Sequence, residues 1–127
     1  NTRWTNSVAI LTGDYLFAKV SDLLADMGAE AVRLQARTFE RLVIGQIMET
    51  QGPSSGIDAL EHYLNVVADK TGSLIATSAR FGALLSGAPR DVMETLTVFG
   101  EKMGVAFQLA DDVIDISSES FESTQPI

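Results

Sequence analysis

The sequence has no cysteine and only one histidine, one tryptophan and three prolines among its 127 residues. Without cysteine, neither a disulfide framework nor a thiolate metal site can form. A single histidine leaves no second imidazole at metal-ligand spacing, and we interpret His62 as a surface residue. Any chemistry in this chain must therefore come from carboxylates, amides, hydroxyls and a few cationic side chains.

Basic residues are also scarce. The chain has 9 lysines and arginines against 17 aspartates and glutamates, which gives a net charge of −8. Such a charge repels nucleic-acid phosphates, and no basic stripe offsets it, so we do not expect nucleic acid as a partner. The lack of cysteine is compatible with a reducing compartment, and we expect a cytoplasmic protein.

Long hydrophobic runs are absent as well. No stretch reaches the roughly 18 apolar residues that a membrane span needs, and the first six residues lack the apolar core of a signal peptide. We therefore expect no transmembrane segment. A 127-residue chain that is 46% hydrophobic can bury one core, which predicts a single domain over residues 1–127.

Helical periodicity, by contrast, is abundant. Apolar residues recur at intervals of three and four over residues 7–27, 29–50, 57–86 and 91–117. Gly28, the segment 52–56 and the segment 87–89 separate these regions, and residues 71–73 are expected to bend the third one. The pattern predicts an all-α fold, an antiparallel helical bundle, with a frayed tail over residues 118–127.

Three carboxylates, Asp111, Asp112 and Asp115, interrupt the last apolar helix within five residues. Residues four apart lie on one helical face, so Asp111 and Asp115 point the same way, with Asp112 beside them. Their charges would repel each other near the negative end of a helix dipole unless a cation compensated them. Mg²⁺ suits such a site because it binds through a few carboxylates and substrate phosphate oxygens. The cluster predicts a Mg²⁺ and diphosphate site, and a solvated helix end is the alternative.

Together with Gly104, Phe107 and Gln108, these aspartates resemble the second aspartate-rich motif of the trans-type isoprenyl diphosphate synthases, Gly-x-x-Phe-Gln-x-x-Asp-Asp-x-x-Asp. Three other segments resemble landmarks of that family in the same order. They are Gly-Asp-Tyr-Leu at 13–16, Gly-Gln-Ile-Met-Glu at 45–49 and Lys-Thr-Gly at 70–72. The resemblance extends to about residue 120 and implies a partial helical bundle of the isoprenoid synthase type.

The resemblance implies a prenyltransferase that condenses isopentenyl diphosphate with an allylic diphosphate to make a polyprenyl diphosphate. The mechanism it implies is Mg²⁺-assisted ionisation, followed by condensation and elimination. It also implies that Asp111, Asp112 and Asp115 hold the metal ion.

The resemblance further assigns roles outside the aspartate cluster. Lys70 would bind the allylic diphosphate, and the Thr71 hydroxyl and the Gln108 amide oxygen would lie near the developing carbocation. Gln46 and Glu49 would line the substrate cavity, although an ordinary solvated glutamate is an equally good interpretation of Glu49.

Phe107 belongs to the same implied substrate-binding set, and packing is the alternative interpretation of its role. For Lys70 considered alone, the alternative is an ordinary solvated lysine.

Two parts of the family pattern do not match the sequence. The family's first aspartate-rich motif, expected before residues 13–16, is not found, and residues 121–127 depart from the pattern expected after the second motif. The resemblance therefore implies an internal fragment, which we expect to be inactive alone. The intervening sequence is similar to bacterial synthases that make long polyprenyl diphosphates, but it does not set the product length.

We also expect a homodimer, and the implied lipid product leaves room for loose association with membranes. Two other functions stay open from the sequence. One is a non-catalytic subunit or degenerate homologue that binds a partner synthase. The other is a terpene-cyclase-like or squalene-synthase-like enzyme.

Overall fold

The computed structural model describes residues 4–124, which form five α-helices and one π-helical turn. No strand occurs among these residues, so the prediction of an all-α fold is confirmed. The helices are α1 (Asn6–Ala25), α2 (Ala29–Gln51), α3 (Ala59–Val67), α4 (Ser73–Leu85) and α5 (Arg90–Thr124). The π-helical turn, Ala68–Gly72, joins α3 directly to α4.

Most helix boundaries lie close to their predicted positions, because local sequence signals define them. Gly28 and Gly87 have φ angles of 102° and 76°, a conformation that favours glycine and stops a helix. Thr5 caps the start of α1, where its side-chain oxygen accepts a hydrogen bond from the Val8 backbone N–H at 3.3 Å. Asp58 is the N-cap residue of α3, although its side chain makes no capping hydrogen bond.

The end of the last helix differs from the prediction. We expected a frayed tail from residue 118, but α5 continues to Thr124, and residues 125–127 lie outside the described part. Serine and glutamate fill much of this stretch, and serine costs a helix only about 0.5 kcal/mol per residue relative to alanine. Since residues 118–124 contain neither glycine nor proline, nothing in this stretch stops the helix.

The chain divides into two compact units, Asn1–Arg37 and Thr38–Ile127. In the first unit, α1 and the start of α2 form an antiparallel hairpin around Gly28. The Gln35 side-chain amide donates a hydrogen bond to the Ser21 hydroxyl at 3.0 Å across this hairpin. Our expectation of a single domain stays a prediction.

In the second unit, α4 and α5 run antiparallel at very close range. A Cβ atom on Gly100 would lie 2.9 Å from the Ala76 Cα on α4, and a Cβ atom on Gly104 would lie 2.9 Å from the Gly72 Cα at the end of the π-helical turn. Real Cβ contacts are almost never that short, so the hydrogen side chains of glycine are what allow the two helices to meet. This close crossing fixes the position of α5 relative to the π-helical turn.

The second half of α2 also packs in this unit. The hydroxyls of Thr38 and Thr77 share a hydrogen bond of 2.6 Å between α2 and α4. Further along α2, a Cβ atom on Gly45 would lie 2.9 Å from the Asp69 Cβ and 3.0 Å from the Lys70 Cγ. The π-helical turn is therefore held tightly between α2 on one side and α5 on the other.

Candidate functional site

A cavity of about 370 Å³ lies in the second unit. The end of α2, α3, the π-helical turn and α5 all contribute to its wall. The lining residues are Glu49, Gly52, Pro53, His62, Tyr63, Val66, Val67, Lys70, Thr71, Gln108 and Asp112. The lining combines apolar side chains with charged and amide groups, a combination typical of small-molecule sites.

Lys70 and Thr71 both line the cavity from the π-helical turn, in continuation of the cavity-lining pairs of consecutive residues on α3. An α-helix rotates about 100° per residue, whereas a π-helical turn includes one extra residue and redirects the side chains. We predicted a bend at residues 71–73, and the structure has this turn at Ala68–Gly72 instead. The turn is possible where it is because Gly45 on α2 and Gly104 on α5 leave room for its backbone.

Lys70 faces a carboxylate across the cavity. Its ammonium group donates a hydrogen bond to the Glu49 carboxylate, and the two side chains are 36% and 51% exposed. An ion pair with this much exposure contributes little stability, because solvent screens it. A ligand with a higher negative charge than one carboxylate can therefore compete with Glu49 for Lys70.

A continuous series of hydrogen bonds joins the π-helical turn to the aspartate cluster. The Thr71 hydroxyl donates to the Gln108 Oε1 at 3.2 Å, and the Gln108 Nε2 donates to the Asp112 Oδ1 at 2.9 Å. The Tyr63 hydroxyl donates to the other carboxylate oxygen of Asp112, Oδ2. Three of the residues that sequence reasoning assigned to the site, Thr71, Gln108 and Asp112, are thus directly connected.

These contacts change the pKa values of Tyr63 and Asp112. The hydrogen bond to Asp112, together with partial burial and the nearby negative charge, raises the pKa of Tyr63 to about 12. The hydrogen bonds from Tyr63 and then from Gln108 lower the pKa of the Asp112 carboxyl below its ordinary value. At neutral pH the tyrosine is therefore a neutral donor and the aspartate an anion.

The three aspartates are close enough to share one cation. Each of Asp111, Asp112 and Asp115 offers a carboxylate oxygen, and these oxygens all lie within 4.8 Å of one another. Asp111 and Asp115 are exposed, and Asp112 is half-buried. The donor set consists only of hard oxygens with open positions around it, which fits Mg²⁺ better than a softer metal ion.

The structure does not bring every predicted residue into the cavity wall. Gln46 is exposed, and its side-chain amide lies 3.4 Å from the Thr50 hydroxyl. Phe107 is 65% exposed and lies outside the cavity lining. Their roles in substrate binding stay predictions. His62, which we interpreted as a surface residue, is half-buried and lines the cavity.

Sequence reasoning missed two contributors to this region. Tyr63 lies seven residues before Lys70, two helical turns away, and that spacing is the signal that could have placed it on the cavity face. Arg41 on α2 binds the carboxylates of Asp69 at 3.0 Å and Glu101 at 2.6 Å, and so links α2, the π-helical turn and α5. No local pattern predicts that link, because the three residues are far apart in sequence.

The fold is all-helical, and an acidic cluster lies beside a cavity that Lys70 lines. This places the chain in the class of helical proteins that are suited to bind a divalent cation together with an anionic ligand. Comparison with known proteins makes the assignment specific. The family model described as Polyprenyl synthetase matches residues 1–126, and this chain belongs to that family.

Relatives of known name support the assignment. The chain is 54% identical over 123 residues to a nonaprenyl diphosphate synthase of Mycobacterium tuberculosis, covering 97% of this chain and 37% of that protein. It is 48% identical over 120 residues to a dimethylallyltranstransferase of the same organism, covering 94% of this chain and 37% of that protein. The chain thus spans little more than a third of the length of these relatives.

Solved structures agree with the fold. A decaprenyl diphosphate synthase from Rhodobacter capsulatus superimposes with a TM-score of 0.79 at 30% identity, covering 88% of this chain and 35% of that one. A medium/long-chain prenyl pyrophosphate synthase from Arabidopsis gives a TM-score of 0.75 at 34% identity, covering 87% and 37%. Among the described residues of this chain, no helix has the length and apolar character needed to cross a membrane.

Proposed function

We propose that the protein carrying this chain is a trans-isoprenyl diphosphate synthase. It would transfer an allylic prenyl group to isopentenyl diphosphate and release a polyprenyl diphosphate. The observation that carries this proposal is the connected site in which Lys70 and Thr71 line one cavity with Asp112, the member of the aspartate cluster that Gln108 joins to Thr71.

In this proposal the aspartate cluster and Lys70 bind the diphosphate. Asp111, Asp112 and Asp115 hold Mg²⁺, which when bound supplies positive charge to stabilise the departing diphosphate. The ammonium group of Lys70 exchanges its Glu49 partner for a diphosphate oxygen, because the diphosphate carries the greater charge. The allylic substrate is thereby held with its reacting carbon towards the cavity.

Thr71 and Gln108 act on the hydrocarbon end of the substrate. The allylic C–O bond breaks with its electron pair going to the diphosphate, and the oxygens of Thr71 and Gln108 stabilise the cation by their dipoles. The double bond of isopentenyl diphosphate then supplies the electrons of the new C–C bond, and a proton leaves to the released diphosphate. Val66 and Val67, buried on α3, give the cavity an apolar wall that excludes water.

Several finer assignments belong to the same proposal. Gln46, Glu49 and Phe107 contribute to substrate binding, Mg²⁺ is the cofactor, and the enzyme is a homodimer. We place it in the cytoplasm, in loose association with membranes that take up its apolar product. Relatives named nonaprenyl and decaprenyl diphosphate synthases support a polyprenyl product.

The test is a prenyl-transfer assay on the protein in its native length. Labelled isopentenyl diphosphate is incubated with farnesyl diphosphate and Mg²⁺, and the lipid-extractable label is counted and its chain length determined. We expect Asp111→Asn to lower turnover by about 100-fold or more, since it removes a metal ligand. Asp22→Asn, which changes an exposed aspartate on α1, is the matched control and should leave turnover unchanged.

Two outcomes would contradict the proposal. One is a wild-type protein that makes no prenyl product with Mg²⁺ present. The other is an Asp111→Asn variant that is as active as wild type. Product that forms only after a second synthase is added would favour a non-catalytic subunit instead.

A further inference from the structure

Asp112 differs from the other two aspartates of the cluster in what surrounds it. Both of its carboxylate oxygens accept hydrogen bonds from the protein, Oδ1 from Gln108 at 2.9 Å and Oδ2 from Tyr63. Asp111 and Asp115 are exposed and accept no side-chain hydrogen bond from the residues that the structure describes. One member of the cluster is therefore held in a fixed orientation and the other two are free to turn.

The two donors come from different directions. Gln108 lies one helical turn before Asp112 on α5, whereas Tyr63 reaches it from α3. Hydrogen bonds to an ionised carboxylate are stronger than those between neutral groups, so together they fix the side-chain torsions of Asp112. Each carboxylate oxygen has two acceptor positions, so one on each oxygen is still available to a cation.

We propose that Tyr63 is a positioning residue, whose hydroxyl holds the Asp112 carboxylate in the orientation that completes the metal site. The hydroxyl also ties the aspartate cluster to α3, the helix that continues into the π-helical turn with Lys70 and Thr71. This inference rests on the proposed function, because it requires that the cluster bind a divalent cation. In this role Tyr63 acts on the metal site through Asp112 and is not itself a metal ligand.

The alternative is that Tyr63 only packs in the cavity wall. Phenylalanine distinguishes the two roles, because Tyr63→Phe keeps the ring and removes the hydroxyl. Loss of a hydrogen-bond partner behind a metal ligand typically costs 10- to 100-fold in metal affinity. Loss of a hydroxyl that only packs would leave metal affinity unchanged.

The chain offers a matched control, since Tyr15 is its other tyrosine. Tyr15 is exposed on α1, and the contact recorded for it is between its ring and the Lys19 ammonium at 5.7 Å, which Tyr15→Phe keeps. Binding of Mn²⁺ alone is measured by electron paramagnetic resonance of the unbound ion, in wild type and in both variants. We expect Tyr63→Phe to raise the Mn²⁺ dissociation constant about tenfold or more, with Tyr15→Phe unchanged.

A second measurement tests whether Tyr63 acts through Asp112. Tyr63→Phe should weaken Mn²⁺ binding by a similar factor in an Asp115→Asn background, where the tyrosine still has its partner charge. In an Asp112→Asn background it should add little, because the charged acceptor is already gone. Equal Mn²⁺ affinity in wild type and Tyr63→Phe, or equal effects of Tyr63→Phe in both backgrounds, would overturn the proposal.

The two proposals can fail separately. A wild-type protein that makes no prenyl product, but whose Mn²⁺ affinity depends on Tyr63, contradicts only the proposed function. A wild-type protein that makes product, but whose Mn²⁺ affinity is unchanged by Tyr63→Phe, contradicts only the role of Tyr63.

Discussion

The close crossing of α4 and α5 makes a quantitative prediction for Gly100→Ala. In an open helix interior, replacing glycine by alanine stabilises a protein by up to about 1 kcal/mol. At Gly100, however, the new Cβ would meet the Ala76 Cα and the Ile75 carbonyl oxygen, each at 2.9 Å. Both are backbone atoms, so no side chain can rotate to relieve the contact, and the helices must move apart.

Gly82 on α4 provides the matched control. A Cβ atom at Gly82 would meet nothing within 4 Å, so Gly82→Ala should show the intrinsic helical gain alone. Forcing one extra carbon into a tight contact typically costs about 1–3 kcal/mol. We therefore expect Gly100→Ala to be about 1–3 kcal/mol less stable than Gly82→Ala, because the intrinsic gain is common to both.

The assay is urea unfolding of the two variants and wild type under identical conditions, with the free energy of unfolding taken by linear extrapolation. Gly82→Ala should unfold at a higher urea concentration than wild type, and Gly100→Ala at a lower one than Gly82→Ala. If Gly100→Ala were as stable as Gly82→Ala, the close approach of α4 and α5 would be refuted. The crossing would then not be what positions α5 beside the π-helical turn.

Three further predictions concern individual side chains. Lys70→Gln should raise the KM for the allylic diphosphate about tenfold, because it removes a cation from the diphosphate; an unchanged KM in steady-state kinetics would contradict that role. Arg41→Met should lower the free energy of unfolding in urea by only about 1 kcal/mol, since the arginine side chain is 41% exposed and solvent screens its ion pairs; no loss would show that these ion pairs contribute nothing. The pKa of the Asp112 carboxyl is lower in the folded state than in the unfolded chain, because Tyr63 and Gln108 donate hydrogen bonds to its ionised form. The stability that the folded protein gains from this is therefore present above the ordinary aspartate pKa of about 3.9. It is lost as the pH falls through the folded pKa. The difference in unfolding temperature between wild type and Tyr63→Phe should therefore shrink in acid, and a difference that does not depend on pH would contradict the link.

The helices and the aspartate cluster could be predicted because the signals for both are local. Apolar periodicity and the glycines at helix ends define α1 to α4 within a few residues. Asp111, Asp112 and Asp115 are close in space because they lie on one helix turn. Two family motifs, which are also local, singled out Lys70 and Gln108, and the structure brings both to the lining of one cavity.

The remaining features depend on contacts between residues distant in sequence. The glycine crossing of α4 and α5, the Arg41 ion pairs and the Tyr63–Asp112 hydrogen bond all join separate helices, and no local pattern encodes which residues meet. The π-helical turn was predicted only as a bend, because its extra residue is accommodated by packing. The serine-rich sequence after residue 117 suggests a helix end, but serine only weakens a helix, and α5 continues to Thr124.

The measurement that tests the central claim most directly is anomalous diffraction from crystals of the protein grown with Mn²⁺ and inorganic diphosphate. The account predicts an Mn²⁺ peak bound by carboxylate oxygens of the Asp111, Asp112 and Asp115 cluster, with diphosphate oxygens bridging from the metal towards the Lys70 ammonium. A cluster without Mn²⁺ under these conditions, or diphosphate bound away from Lys70, would contradict the account.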